Sequence, residues 1–314
     1  MTEENRKAAK AGFATIIGKP NVGKSTLMNT LIGQKIAITS YKPQTTRTKI
    51  RTVYTAEEGQ IVFLDTPGVH KAKTRLGEYM DKAAESTLKE VDLVLWLIEP
   101  RARITEEDRM VMSMLSRVTV PRLVVITKTD TVKKAELLPV MELYAAEWKK
   151  QTGEDAPEII PVSARTRNGI EELRNSIFEK LPVGEPFYDE DTVTTQTERE
   201  ITEEIIREKA LRLLQEEVPH GIAVSVLSMK WRKGRNGEQI CDVDADIVCE
   251  RESHKGIVIG KSGEMLKKIG TAARTDIENM LEMRVNLKLW VKVRKDWKDS
   301  EAAMKTYGYD ARKL

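Results

Sequence analysis

Gly18-Lys19-Pro20-Asn21-Val22-Gly23-Lys24-Ser25 follows directly on the apolar run Gly12-Phe13-Ala14-Thr15-Ile16-Ile17, and residues 25 to 32 continue with helical spacing. Strand, glycine-rich turn and helix in that order is the setting a G-x-x-x-x-G-K-S sequence requires. Glycines let backbone N–H groups approach phosphates, Lys24 neutralises β/γ charge, and the Ser25 hydroxyl suits magnesium. Alone, the stretch implies only a nucleoside triphosphate.

The next segments narrow the base. Asp65-Thr66-Pro67-Gly68 closes the apolar run Ile61-Val62-Phe63-Leu64, so Asp65 emerges beside the phosphate loop, where a magnesium ligand belongs. Gly68, lacking a side chain, can bring its N–H to a γ-phosphate and move when that phosphate leaves. Thr127-Lys128-Thr129-Asp130 ends another strand. The Asp130 carboxylate can accept two hydrogen bonds from the N1–H and 2-amino groups of guanine, which adenine does not offer. The Lys128 stem can lie across the base, and the N–H of Ala164, after Ser163, can meet guanine O6.

These segments resemble the translation-factor-like GTPases, in the branch containing TrmE, Era and septins, over residues 12 to 181. The resemblance implies that Gly18, Asn21, Val22, Gly23, Lys24, Ser25, Thr26, Thr45, Asp65, Thr66, Pro67, Gly68, Thr127, Lys128, Asp130, Ser163 and Ala164 hold GTP or GDP. Magnesium falls to Ser25, Asp65 and Thr46 of the first switch, Lys42 to Thr48, with Thr45 close behind, and catalysis to Lys24, Asn21, Thr46 and Gly68. Thr127 stands where the family usually has asparagine, which opens the question of its hydrogen bonds. Val69 stands where Ras-like enzymes carry a water-orienting glutamine, so a slow enzyme is expected. Asn21 resembles the asparagine that ligates potassium in potassium-stimulated relatives; merely shaping the loop is the other reading.

Strand-like runs at 49–56, 60–65, 91–98, 123–127 and 159–162 alternate with helical patterns near 76–89, 105–116, 133–151 and 170–180. That alternation predicts an α/β fold with a mostly parallel sheet covered on both faces. The proline, glycine and acid content of residues 183–191 reads as a linker, giving a P-loop GTPase domain over 1–185, a linker over 186–197 and, over 198–314, a second domain with a C-terminal tail.

The second domain turns on His254-Lys255-Gly256-Ile257-Val258-Ile259-Gly260-Lys261-Ser262-Gly263-Glu264-Met265-Leu266. Its G-x-x-G loop with a basic residue inside is the device by which KH domains clamp about four nucleotides. The predicted order, helix 198–218, strands 222–231 and 238–250, short helix 255–259, helix 263–282 and strand 285–294, resembles a smaller α+β type II KH domain. Aspartates 242, 244 and 246 read as a solvent-facing strand edge, since Ile247 and Ser253 spoil a calcium loop.

GTPase plus type II KH, closing on Val291-Lys292-Val293-Arg294-Lys295-Asp296-Trp297, resembles the Era family over nearly the whole chain. The resemblance implies binding of ribosomal RNA near the 3′ end of the small-subunit rRNA and assistance in maturation of the small ribosomal subunit. RNA contacts fall to Gly260, Lys261, Ser262 and Gly263, and then Lys288 and Arg294. It further implies a monomer in the cytoplasm with peripheral inner-membrane association.

Composition sets the bounds. The chain has 314 residues and net charge +3, but residues 251–314 hold 15 Lys/Arg against 9 Asp/Glu, which suggests a polyanion partner. A membrane-surface switch binding acidic lipid through this block and Trp290 or Trp297 is the alternative. Two cysteines, Cys241 and Cys249, and three scattered histidines argue against a zinc site or a disulfide framework. The amino-terminal residues lack a signal-peptide pattern and no apolar run is long enough to span a bilayer, so a soluble, cytoplasmic protein is expected.

Overall fold

The computed structural model describes residues 9–33, 50–65, 74–214 and 221–310. In the first half, β1 (Lys10–Gly18), α1 (Lys24–Ile32), β2 (Ile50–Ala56), β3 (Gly59–Asp65), α2 (Arg75–Thr87), β4 (Leu93–Ile98), α3 (Glu106–Leu115), β5 (Arg122–Ile126), α4 (Leu137–Thr152), β6 (Glu158–Pro161) and α5 (Ile170–Lys180) follow the predicted alternation. They build a six-stranded sheet in the order β2-β3-β1-β4-β5-β6, antiparallel only between β2 and β3. All six residues of β4, Leu-Val-Leu-Trp-Leu-Ile, are buried, as a strand covered on both faces requires. Leu27, Met28 and Leu31 of α1 pack with Leu173 and Ile177 of α5 on one face. Val111, Met112, Tyr144 and Trp148 of α3 and α4 pack on the other, with the Trp96 ring 5.6 Å from Tyr144. Chain order reverses at β1, with β3 on one side and β4 on the other, and the glycine-rich loop leaves the carboxyl end of this strand.

The acidic stretch before α6 (Glu198–Leu213) is no free tether. The Gln60 amide is fully buried, accepting from the N–H groups of Phe187 and Tyr188 (2.8 and 3.0 Å) and donating to the Tyr188 carbonyl (2.9 Å). Phe187 lies 4.7 Å from the Phe13 ring, and Val53 N–H donates to the Val193 carbonyl at 2.9 Å. Val183 pairs with Lys10 of β1, and residues 193–195 pair along the open edge of β2, whose unpaired groups would otherwise face solvent.

In the second half α6, β7 (Ala223–Lys233), β8 (Gln239–Cys249), α7 (Glu252–Ile259), α8 (Glu264–Leu281) and β9 (Arg284–Val293) give the predicted α-β-β-α-α-β order. The predicted first helix extended to Val218; α6 ends at Leu213, and residues 215–220 lie outside the described ones. The sheet runs β7-β8-β9, so β8 is central and the expected strand edge at its aspartates is corrected. Asp242 faces Arg232 (2.6 Å) and Asn286 (2.9 Å), and Asp246 is buried against Lys292 (2.6 Å), because cations on both neighbouring strands compensate the carboxylates. Cys241 and Cys249 are buried, and burial raises both thiols.

The segment read as a tail is structured. Trp297 is wholly buried, donating from Nε1 to the Gly221 carbonyl at 2.9 Å, and α9 (Glu301–Thr306) follows. Trp297, Met304 and Tyr309 pack with Ala223 and Val248 of the second sheet and with Leu76, Tyr79 and Met80 of α2. Asp299 Oδ1 accepts from the Arg75 N–H at 3.2 Å, at the first turn of α2. No described helix is long and apolar enough to cross a membrane.

Candidate nucleotide site and nucleic-acid groove

Lys24 is nearly buried, with Nζ 3.1 Å from the Gly18 carbonyl and 2.9 Å from that of Lys19, which folds the loop around its ammonium. Asn21 has φ 62° and Gly23, at the cap of α1, has φ 108°. A turn of this kind ahead of a helix directs N–H groups and the positive end of the helix dipole at an anion. Lys19, unassigned by the sequence, reaches Asp108 Oδ2 at 3.0 Å, and that fully buried carboxylate also closes the capping box of α3 with Thr105. The phosphate loop is therefore braced from the side by α3.

At the end of β5 the hydroxyl of Thr127 lies 2.7 Å from the Val22 carbonyl and 3.1 Å from that of Ile98. Its hydrogen bonds, in question from the sequence, tie the T-K-T-D segment to the phosphate loop and to β4. Lys128, in the left-handed region at φ 54°, donates from Nζ to the Asn21 carbonyl (2.6 Å) and to Glu99 (2.7 Å). Those two anchors stretch its stem across the site. Asp130 Oδ1 accepts from Ser163 Oγ at 2.7 Å, and Arg165 Nε stands 2.9 Å from Oδ2. The Ser163 hydrogen bond, with a backbone bond and Arg165 adding to it, holds the Asp130 carboxyl below its ordinary range. Each carboxylate oxygen keeps a second lone pair, enough for the two N–H groups on one edge of guanine. Thr30 Oγ1 lies 3.4 Å from the Ala164 carbonyl, joining α1 to the same corner.

The structure thus brings Gly18, Asn21, Val22, Gly23, Lys24, Ser25, Thr26, Thr127, Lys128, Asp130, Ser163 and Ala164 to the carboxyl edge of one sheet. The backbone of Asp65 ends β3 level with Ile16 of β1, next to the loop. Thr45, Thr46, Thr66, Pro67, Gly68 and Val69 lie outside the described residues. A magnesium ion held largely by phosphates needs only one or two protein oxygens, and the Ser25 and Asp65 positions fit that donor set. Glu99, Asp108 and Arg165 went unread because each acts through a partner distant in sequence.

In the second half, Gly260 ends α7 at φ 74°, and a β-carbon there would stand 2.6 Å from Met265 Cβ. Only glycine lets the backbone turn so tightly into Lys261 and Ser262, which are exposed. Beside Gly263 opens a cleft of about 420 Å³. Leu266, Gly270, Leu287 and Leu289 line it, with Lys267, Thr271 and Arg274 from the same helix. Sequence reasoning assigned no RNA contact on α8; positions 266, 270 and 274, four apart on that helix, were the available signal. Lys288 does not share the groove. It aligns with Asp244 and alternates with Leu287 and Leu289, so pleating turns it to the other face of β9; Arg294 follows the end of that strand, its N–H donating to the Cys249 carbonyl at 2.8 Å. Any RNA contact made by these two therefore lies outside the groove.

The fold and the two sites define a P-loop GTPase joined to a KH domain. The family of 50S ribosome-binding GTPases matches residues 13–128, and the KH domain family matches 217–298. GTPase Era of Clostridium kluyveri is 47% identical over 96% of this chain and 99% of its own length. GTPase Era of Alkaliphilus metalliredigens is 48% identical over 96% and 99%. Among solved structures, Era in complex with MgGDPNP and nucleotides 1506–1542 of 16S ribosomal RNA superposes with TM-score 0.90 at 37% identity, covering 96% of this chain and 99% of that one. Aquifex aeolicus Era bound to GDP and AlF4− superposes with TM-score 0.89 at 38% identity, over 96% and 99%. The chain belongs to the Era family of GTPases.

Proposed function

We propose that the chain is a slow GTP-hydrolysing switch, with GTP and Mg2+ in the first domain controlling how the KH domain binds ribosomal RNA near the 3′ end of the small-subunit rRNA during maturation of that subunit. The observation that carries it is the apolar contact of Leu76, Tyr79 and Met80 with Trp297, Met304 and Tyr309. It attaches the KH domain to the helix that follows the D-T-P-G segment, so a movement of Gly68 on phosphate release has a rigid element to push. The proposed division is residues 1–185, 186–197 and 198–314.

Asp130, Lys128, Thr127, Ser163 and Ala164 select guanine. Lys24, with the N–H groups of Gly18, Asn21, Val22, Gly23 and Thr26, holds phosphate; Ser25, Asp65 and Thr46 or Thr45 serve magnesium; Thr66, Pro67 and Gly68 follow the γ-phosphate. Potassium at Asn21 would show as turnover faster in potassium than in sodium and lost in Asn21→Ala, whereas equal rates leave Asn21 as a shaper of the loop. RNA enters along Gly260, Lys261, Ser262, Gly263, Lys267 and Arg274, with Lys288 and Arg294 meeting its backbone outside the groove. The acidic-lipid reading loses one of its two tryptophans, since Trp297 is wholly buried. The purified protein is expected to hydrolyse GTP and not ATP, and to bind an rRNA 3′-end transcript more tightly with a non-hydrolysable GTP analogue than with GDP. Equal turnover of both triphosphates, or equal RNA affinity in both states, refutes the proposal.

A further inference from the structure

We propose that the β7–β8 hairpin is a second RNA-binding arm, contacting the phosphate backbone of ribosomal RNA outside the groove; this rests on the RNA-binding reading above. Residues 230–238, Lys-Trp-Arg-Lys-Gly-Arg-Asn-Gly-Glu, place four cations against one carboxylate at the tip of the hairpin. Lys230, Trp231, Arg232, Lys233 and Arg235 are all exposed, Trp231 by 53%. The cations have different jobs. Arg232 is held by Asp242 at 2.6 Å, and Asp242 in turn by Asn286, which stiffens the hairpin across the sheet. Among the described residues no carboxylate pairs with Lys230, Lys233 or Arg235, and Glu238 instead accepts from the Asn236 N–H.

Trp231 is opposite Cys241, on the helix-covered face of the sheet, but at a level where it stays half exposed. An indole in water adds nothing to the core, yet offers a flat face for a base or sugar beside phosphate-binding cations. The register places Trp231 level with Val285, one pair short of Leu287 in the groove. That is roughly 10 Å across two strands and roughly 7 Å along them. An RNA whose four-nucleotide segment fills the groove has further nucleotides within reach of the tip. RNA fits this surface better than lipid does. The turn Gly234-Arg235-Asn236-Gly237 is polar where a membrane anchor would be apolar, and cations project from both faces.

The test uses the full chain with a non-hydrolysable GTP analogue, a tetranucleotide that fills the groove alone, and a transcript of the small-subunit rRNA 3′ end. In the triple variant Lys230→Ser, Lys233→Ser, Arg235→Ser, transcript affinity is expected to fall by roughly tenfold or more, with a salt slope shallower by about two to three. Tetranucleotide affinity and basal GTP hydrolysis are expected to stay unchanged, and Trp231→Ala to weaken the transcript alone. Unaltered transcript binding in the triple variant overturns the proposal. Equal loss for both RNAs also overturns it, since the variant then damages the groove. Loss of binding to anionic vesicles with transcript binding intact assigns the arm to lipid and overturns it too. Absence of transcript binding by the unaltered protein removes the RNA reading and the arm with it.

Discussion

The two ligand surfaces are built on opposite plans. In the nucleotide site each side chain proposed to read the base is fixed by another group: Thr127 by the Val22 carbonyl, Lys128 by Glu99 and the Asn21 carbonyl, Asp130 by Ser163 and Arg165. The groove of the KH domain has an apolar floor of Leu266, Leu287 and Leu289 beneath the exposed Lys267. Fixed polar partners discriminate steeply, because a wrong ligand leaves buried groups unpaired. An apolar floor rimmed by mobile cations binds any strand of the right shape and responds to salt. In the proposed assignment the first surface chooses among nucleotides that differ by two atoms, and the second accommodates a polymer.

Asp130→Asn probes the contrast hardest. Its amide offers a donor where guanine also has one, so GTP affinity is expected to fall by roughly three to four orders of magnitude while xanthosine triphosphate gains. Nucleotide titrations measure this, and a loss of less than tenfold would break the assignment. Trp297→Ala comes next, because it empties a wholly buried indole site joining α2 to the second sheet. It should cost about 3–5 kcal/mol in chemical denaturation. The milder Met304→Ala keeps the fold and is expected to shrink the difference in RNA affinity between nucleotide states, without altering the tetranucleotide affinity of the GDP form.

Thr127→Val removes one hydroxyl from the nucleotide site and nothing from the groove. About 1–1.5 kcal/mol of nucleotide affinity should go, seen as faster GDP release, with RNA binding unchanged. The converse double variant Lys267→Ala, Arg274→Ala should leave GDP release alone and make RNA binding shallower in salt by roughly one to two in slope. If either variant moves the other site's reading as much as its own, the two plans are not independent.

The sequence exposed these surfaces unequally for a physical reason. Phosphate loop, D-T-P-G, T-K-T-D and S-A are short segments whose chemistry is complete within a few residues, so each can be proposed from the sequence where it stands. The groove is assembled from one face of α8 and alternate residues of β9, and only the loop at its mouth is local. Period-two alternation already separates Lys288 from Leu287 and Leu289, but it does not say that α8 packs beside the apolar face to make a groove. Trp297 and α9 were taken for a tail because their apolar partners, Leu76, Tyr79 and Met80, lie more than two hundred residues earlier. Gln60 clamping Phe187 and Tyr188 is hidden for the same reason, although its burial is complete.

The smallest expected effects lie in the support of Asp130 itself. Arg165 is largely exposed, so Arg165→Ala should change GDP affinity by no more than about 1 kcal/mol. Ser163 matters more and has a pH signature. Its hydrogen bond is the main cause of the lowered Asp130 pKa. A carboxyl depressed in the folded state contributes its stability fully above its unfolded value, about 3.9, and loses it as pH falls through the folded value. Between pH 5 and 8, on the order of those limits, Asp130 stays ionised and GDP affinity carries no slope from it. In Ser163→Ala the carboxyl moves back up, so the acid loss of affinity should begin at higher pH than in the unaltered protein. Ionisation of the nucleotide's phosphates is common to both proteins and cancels in the ratio of their affinities. That ratio, measured from pH 7 down toward roughly pH 4.5, is expected to widen only at the acid end. A ratio that is constant over this range would mean that Ser163 orients Asp130 without tuning its charge.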